Sequence, residues 1–274
     1  MALDPELDLL YATRIGVPEH PEIFARWKEQ GARTRKTLPC VLQLPYGPHR
    51  LQTIDLFPAG TRGLAIFIHG GYWRSLDKDD FSFVAEPYAA AGISTALINY
   101  RLCPEVTVAD IVDDCRAAIA WIFAHAAERG IATDTSVLLG HSAGGHLVAM
   151  MFATDWKTLG VDAGAFRGGI ALSGIYDLTP ILRISVNDDV RLDAAAAEAM
   201  SPVRYQPRVA APLQLAVGGR ESSEFIRQST LLSPVWPGVA SAAEVLAELN
   251  HFSIVDYFAD GSSPLFRRTL GWMR

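Results

Sequence analysis

Short apolar runs closed by turn formers alternate along this chain with segments of helical spacing. Leu51–Phe57 and Leu64–Ile68 read as the first strands. Phe81–Ala91 reads as helix and Ile93–Asn99 as strand. Val108–Ala127 places Ile111, Val112, Cys115, Ala118, Ile119 and Ile122 on one helical face. Val137–Leu139 is a short strand, and Ala143–Ala153 continues as an apolar helix. Gly169–Leu172, Pro212–Val217 and a weaker Val245–Leu249 complete the strands. Alternation of this kind implies parallel strands joined by crossover helices, so the pattern predicts a doubly wound α/β fold. Residues 1–40 form an N-terminal arm punctuated by Pro5, Pro18, Pro21 and Pro39, with helical spacing of Ile23, Phe24 and Trp27 inside Pro21–Lys36. The stretch 177–208 is too long for an αβ connection of about 2–6 residues. It reads as a helical cap inserted over the carboxyl edge of the sheet, within a single domain over 1–274.

Composition narrows the classes. Half of the 274 residues are apolar, which suits a chain with a sizeable core rather than disorder. Twenty-four basic against thirty acidic residues, with no basic stripe, argue against nucleic acid as a partner and suit a small-molecule substrate. No apolar stretch approaches the ~20 residues of a membrane span, and Asp4, Glu6 and Asp8 occupy the place where a secretory signal carries positive charge. Cys40, Cys103 and Cys115 are odd in number and lack C-x-x-C spacing, as expected of a reducing, cytoplasmic compartment. No H-x-x-x-H pair, H-E-x-x-H helix, Walker loop or G-x-G-x-x-G occurs, so neither a metal nor a nucleotide cofactor is expected.

The chemistry concentrates in three places. Gly140-His141-Ser142-Ala143-Gly144 lies between a strand and an apolar helix, the setting of a nucleophile elbow. There Ser142 is exposed on a strained turn, and the Ala143 N–H points at a developing oxyanion from the helix N-terminus. His69-Gly70-Gly71-Tyr72-Trp73 follows the strand Leu64–Ile68, where Gly70 and Gly71 let the backbone approach a substrate and supply further oxyanion donors. His69 reads as structural, ordering this loop by hydrogen bonds. The order Ser…Asp/Glu…His then leaves His251 as general base, because His146 lies one turn along the elbow helix and reads as packed. Glu221 stands just past the strand Pro212–Val217 and is the expected acid; Asp177, the rival, looks like an N-cap opening the cap segment. Glu224 is better suited to pairing with a helix dipole.

HGGYW at His69–Trp73, GHSAGGHL at Gly140–Leu147, VGGRESSEFIRQS at Val217–Ser229, NHFSIVD at Asn250–Asp256 and ARTRKTLPCVLQLPYG at Ala32–Gly47 resemble the kynurenine formamidase (arylformamidase) group of α/β-hydrolases. The resemblance implies that fold, Ser142 as nucleophile, His251 as base, Glu221 as acid, and Gly70, Gly71 and Ala143 at the oxyanion positions. Glutamate departs from the group's usual aspartate. The resemblance further implies a formyl aryl amide or ester as substrate. Tyr72 and Trp73, beside the glycine loop, are expected either to line the pocket and stack on an aryl leaving group or to pack the loop against the cap. Asn99–Glu105, NYRLCPE, is similar to the hormone-sensitive-lipase-like esterases, but Tyr72 replaces their third glycine and GGRESSEF lacks their D-P-L pattern. The expectation is a cofactor-free serine hydrolase of formamidase type. A short-chain carboxylesterase is the alternative, and a non-catalytic ligand-binding protein a remote third.

Overall fold

The computed structural model describes residues 2–274. Eight strands form one sheet: β1 (Val41–Pro45), β2 (Thr53–Phe57), β3 (Leu64–Ile68), β4 (Ser94–Ile98), β5 (Ser136–His141), β6 (Phe166–Leu172), β7 (Leu213–Gly218) and β8 (Glu244–Leu246). Their order is β1-β2-β4-β3-β5-β6-β7-β8. β1, β2 and β4 pair antiparallel, and every pair from β4 to β8 is parallel. β2, β3, β4, β5 and β7 are buried at every position because both faces of the sheet are covered. In β3, Leu64, Ile66 and Ile68 pack on one side, while Ala65 and Phe67 pack on the other.

The helices up to the elbow are α1 (Pro5–Tyr11), α2 (Thr13–Gly16), α3 (His20–Thr37), α4 (Ala85–Ala90), α5 (Val108–His125) and α6 (Ala143–Phe152). The apolar face read from the α5 sequence is buried in full, beside Leu147 and Val148 of α6. A capping box starts α5: the Thr107 hydroxyl accepts from Asp110 N–H, and the Asp110 carboxylate accepts from Thr107 N–H. On the opposite face Trp27 of α3, Tyr88 of α4 and the C-terminal helix Pro264–Trp272 share a second core cluster.

Three elements differ from the sequence expectation. The helix expected over Phe81–Ala91 opens as a 3₁₀ turn, Lys78–Val84, and becomes α-helical only at Ala85. Pro87 has no N–H for an i→i−4 bond, so it is tolerated only in a helix's first turn. β1 lies just beyond the expected arm, where the sequence pattern predicts no element; it is an edge strand, bulged between Val41 and Leu44, with none of its residues buried. The last strand is three residues long, and Leu249 lies beyond it. Between β6 and β7 the chain forms short helices at Asn187–Val190 and Ala194–Ala199, flanked by 3₁₀ turns. Among the described residues no helix is long and apolar enough to cross a membrane.

Two glycines separate close packing from mere helix propensity. A Cβ on Gly144 would lie 2.0 Å from the Ile68 carbonyl oxygen, whereas one on Gly271 would meet open space. Gly144→Ala is expected to destabilise by ~1–3 kcal/mol through overpacking. Gly271→Ala is expected to stabilise by about 0.5 kcal/mol, because alanine loses less backbone entropy in a helix. Urea midpoints of the two variants, moving in opposite directions from wild type, check the packing.

Candidate active site

β5 ends in a turn that α6 continues at once, and Ser142 occupies that turn with φ 56° and ψ −119°. This is a left-handed conformation costly for any residue with a side chain. Its own N–H donates to the Leu172 carbonyl at 2.7 Å, tying the turn to the end of β6. Glycine on either side is a steric requirement, since a Cβ on Gly140 would lie 2.2 Å from the Gly144 oxygen. Ala143 opens α6, so its N–H has no carbonyl one turn earlier to bond and sits at the positive end of the helix.

His251 reaches this serine from a loop held by Asn250, whose side-chain oxygen accepts from the N–H groups of Phe252 (3.0 Å) and Ser253 (2.8 Å). Its Nε2 lies 3.0 Å from Ser142 Oγ, and its Nδ1 lies 2.6 Å from Glu221 Oε2. The carboxylate accepts only, so Nδ1 carries the proton and Nε2 presents a lone pair to the hydroxyl. Glu221 is buried to 1% side-chain exposure, and its other oxygen accepts from Ser173 Oγ (2.6 Å) and Gly218 N–H (2.7 Å). Asp177 does something else: its carboxylate accepts from the Thr179 N–H and hydroxyl two residues on, in an Asx turn just before the 3₁₀ turn Thr179–Arg183 rather than as its N-cap. Glu224 pairs with Arg227 in the first turn of the helix Ser223–Thr230 and accepts from Tyr11.

The His69 loop runs directly beneath the elbow, where a Cβ on Gly70 would lie 3.1 Å from Ser142 Cβ. Gly71 lines the same cavity as Ser142. His69 is wholly buried, hydrogen-bonded to the Gly70 carbonyl (2.7 Å) and Asn99 (2.9 Å) and stacked on Tyr100 at 4.3 Å. Beside Ser142 and His251 opens a cavity of about 490 Å³ walled by Tyr11, Phe24, Trp27, Tyr72 and Phe252. Arg14, lying over the Phe24 ring, and the Arg74–Asp189 pair also line it.

Trp73 corrects the sequence expectation of a pocket aromatic. Its side chain is fully buried, away from the cavity, with Nε1–H donating to His146 Nδ1 at 3.2 Å. Tyr72 and Trp73 both have positive φ, and of the two only Tyr72 lines the cavity. The other walls escaped the sequence reading. Phe24 and Trp27 carried a helical signal, but nothing local tells that their face meets Ser142.

His146 Nε2 faces the Met200 carbonyl at 2.7 Å, and burial lowers this imidazole from 6.5 to about 4, against the pull of that bond. The unfolded chain therefore binds this proton first as pH falls. The stability contribution is complete above pH 6.5 and is lost progressively as pH drops toward 4. Between pH 7 and 5 the linkage is worth about 2 kcal/mol. His146→Gln, which cannot titrate, is expected to lose that part of the slope in urea denaturation at the two pH values. Equal slopes in both proteins would refute it.

A family model described as BD-FAE matches residues 58–169, which span β3, the His69 loop and the elbow. The kynurenine formamidase of Salmo salar is 29% identical over 258 residues, covering 90% of this chain and 86% of that protein. A solved Silicibacter structure, provisionally described as a thioesterase, is 36% identical with a TM-score of 0.85 and covers 96% of this chain and 98% of its own. The carboxylesterase EstE1, from a metagenomic library, shares the fold at a TM-score of 0.68 and 15% identity, over 92% of this chain and 96% of its own. With near end-to-end relatives and the sheet order described above, the chain belongs to the α/β-hydrolases, is homologous to the kynurenine formamidases, and is a hydrolytic enzyme.

Proposed function

We propose that this enzyme cleaves a small acyl group, formyl above all, from an aryl amide or ester through an acyl-enzyme on Ser142. One observation carries the reading: Ser142 Oγ, both nitrogens of His251 and the buried Glu221 carboxylate form an unbroken relay, with steps of 3.0 and 2.6 Å. Ser142 Oγ attacks the carbonyl carbon while His251 Nε2 takes its proton. Glu221 holds the imidazole tautomer and stabilises the imidazolium. The N–H groups of Ala143 and of the Gly70–Gly71 loop receive the oxyanion. As the tetrahedral adduct collapses, His251 gives its proton to the departing amine or alcohol. Water, deprotonated by the same imidazole, then releases the acid.

The formamidase preference draws on the relatives, which match over most of their length, and on the cavity, whose volume and aromatic walls suit an aryl leaving group. Tyr72, in the place of a third loop glycine, is the wall nearest the oxyanion loop. A short-chain carboxylesterase remains the second reading, motivated by the esterase-like segment Asn99–Glu105. A reducing, cytoplasmic setting suits the three cysteines, none of which is paired.

Glu221→Gln is expected to keep the shape and lower kcat by about 10⁴-fold, as loss of a triad carboxylate does. Asp177→Asn is expected to leave both kcat and stability close to wild type, because an amide oxygen accepts the same bonds from Thr179. Steady-state kinetics and thermal melts of the two variants separate the roles; the reverse pattern moves the acid to Asp177.

Acyl-chain size decides between the two substrate readings. A site shaped for formyl leaves no room beside Ser142, so each methylene overpacks by ~1–3 kcal/mol, or roughly 5- to 150-fold in rate. A carboxylesterase pocket instead gains about 0.8 kcal/mol per buried methylene. On one common leaving group, kcat/KM is expected to fall from formyl to acetyl to butyryl. A maximum at butyryl selects the carboxylesterase.

A further inference from the structure

His141, the residue before the candidate nucleophile, is 2% exposed and takes no part in the relay itself. Its Nε2 lies 2.6 Å from the backbone carbonyl oxygen of His251, and the two rings are 4.8 Å apart. A carbonyl only accepts, so Nε2 carries the proton and donates it. Nδ1 is buried without a partner and faces Gly70, where a Cβ would come within 3.2 Å. Burial, and then the charge that His251 acquires, hold this imidazole well below its ordinary range, against the pull of the His251 carbonyl. A second proton would place an N–H against Gly70 with nothing to accept it. His141 is therefore a neutral donor of fixed tautomer.

The position of the His251 backbone matters because its ring must meet Ser142 Oγ. Asn250 orders the following N–H groups, and Glu221 holds the far side of the ring. The carbonyl of His251 itself is held by His141, from the end of the strand that carries the serine. We propose that His141 is a positioning residue: its Nε2–H straps the His251 backbone to the elbow and so sets the 3.0 Å separation between imidazole and nucleophile. This inference rests on the reading of Ser142 and His251 as nucleophile and base. It goes beyond that reading by giving a role to the residue between Gly140 and Ser142 in the elbow.

The geometry separates two polar replacements. The glutamine amide nitrogen reaches about as far as imidazole Nε2, whereas that of asparagine reaches only as far as Nδ1. With p-nitrophenyl acetate as probe, His141→Asn and His141→Phe are expected to lower kcat about 100-fold, the cost of an ångström-scale misplacement, with KM nearly unchanged. His141→Gln is expected to recover most of that loss. A purely space-filling role predicts instead that Phe, the closest in shape, retains the most activity. Thermal melts identify any variant that fails to fold, and the Asn–Gln contrast decides without the Phe variant. Wild-type kcat in folded His141→Asn, or a His141→Gln as impaired as Asn, overturns the proposal. Ser142→Ala and His251→Ala are measured alongside. If either retains the wild-type rate, the underlying nucleophile–base reading falls and this inference with it. If both are inactive while His141→Asn is not impaired, this inference alone falls.

Discussion

The approach of α6 to β3 is the contact on which the site depends. Gly144 lies so close to the Ile68 carbonyl that no side chain fits between them. That closeness lets the chain leave β5 and enter α6 in a single residue. Ser142 then bears a backbone conformation that only over-determined surroundings sustain, and the Leu172 carbonyl supplies one of those restraints. The same turn aims the N-terminus of α6 at the cavity. The Ser142 hydroxyl and the helix dipole thus come from one packing constraint rather than two.

Glu221 follows a second constraint, the burial of a carboxylate. An ionised group at 1% exposure is tolerated only if its oxygens are met by donors. Glu221 finds three, from the end of β6, the end of β7 and the His251 loop. Ser173 gives its hydroxyl from a left-handed backbone of its own, at φ 51°. The longer side chain of glutamate suits this arrangement. One oxygen turns back to Gly218, three residues earlier, and the other remains free for the imidazole.

The N-terminal arm belongs to the site as much as the sheet does. Its Tyr11 carbonyl accepts from the Tyr72 hydroxyl at 2.7 Å, and its Leu10 carbonyl accepts from Ser222 beside Glu221. Asp4 and Asp8 hold Arg183 and Ser185 of the segment between β6 and β7. The arm therefore joins the His69 loop, the Glu221 loop and that segment, and contributes Tyr11 through Ile15 to the cavity wall.

By itself the sequence determined the parallel strands, the turn at Ser142, the glycine loop and the order of Ser142, Glu221 and His251 along the chain. Each is written locally, in a run of apolar residues, a glycine spacing or a strand end, and needs no knowledge of distant chain. Tertiary structure decided what depends on distance in space. Glu221 rather than Asp177 meets His251 across 30 residues, Trp73 turns inward to His146 across 73, and His141 finds the His251 carbonyl across 110. β1 stayed hidden because its Val41, Leu42 and Leu44, interrupted by Gln43 and followed by Pro45, lie on an exposed edge and mark no buried face. Tyr11, Phe24, Trp27 and Phe252 wall one cavity because helix packing brings remote faces together, and an apolar side chain reads the same in sequence whether it meets core or substrate.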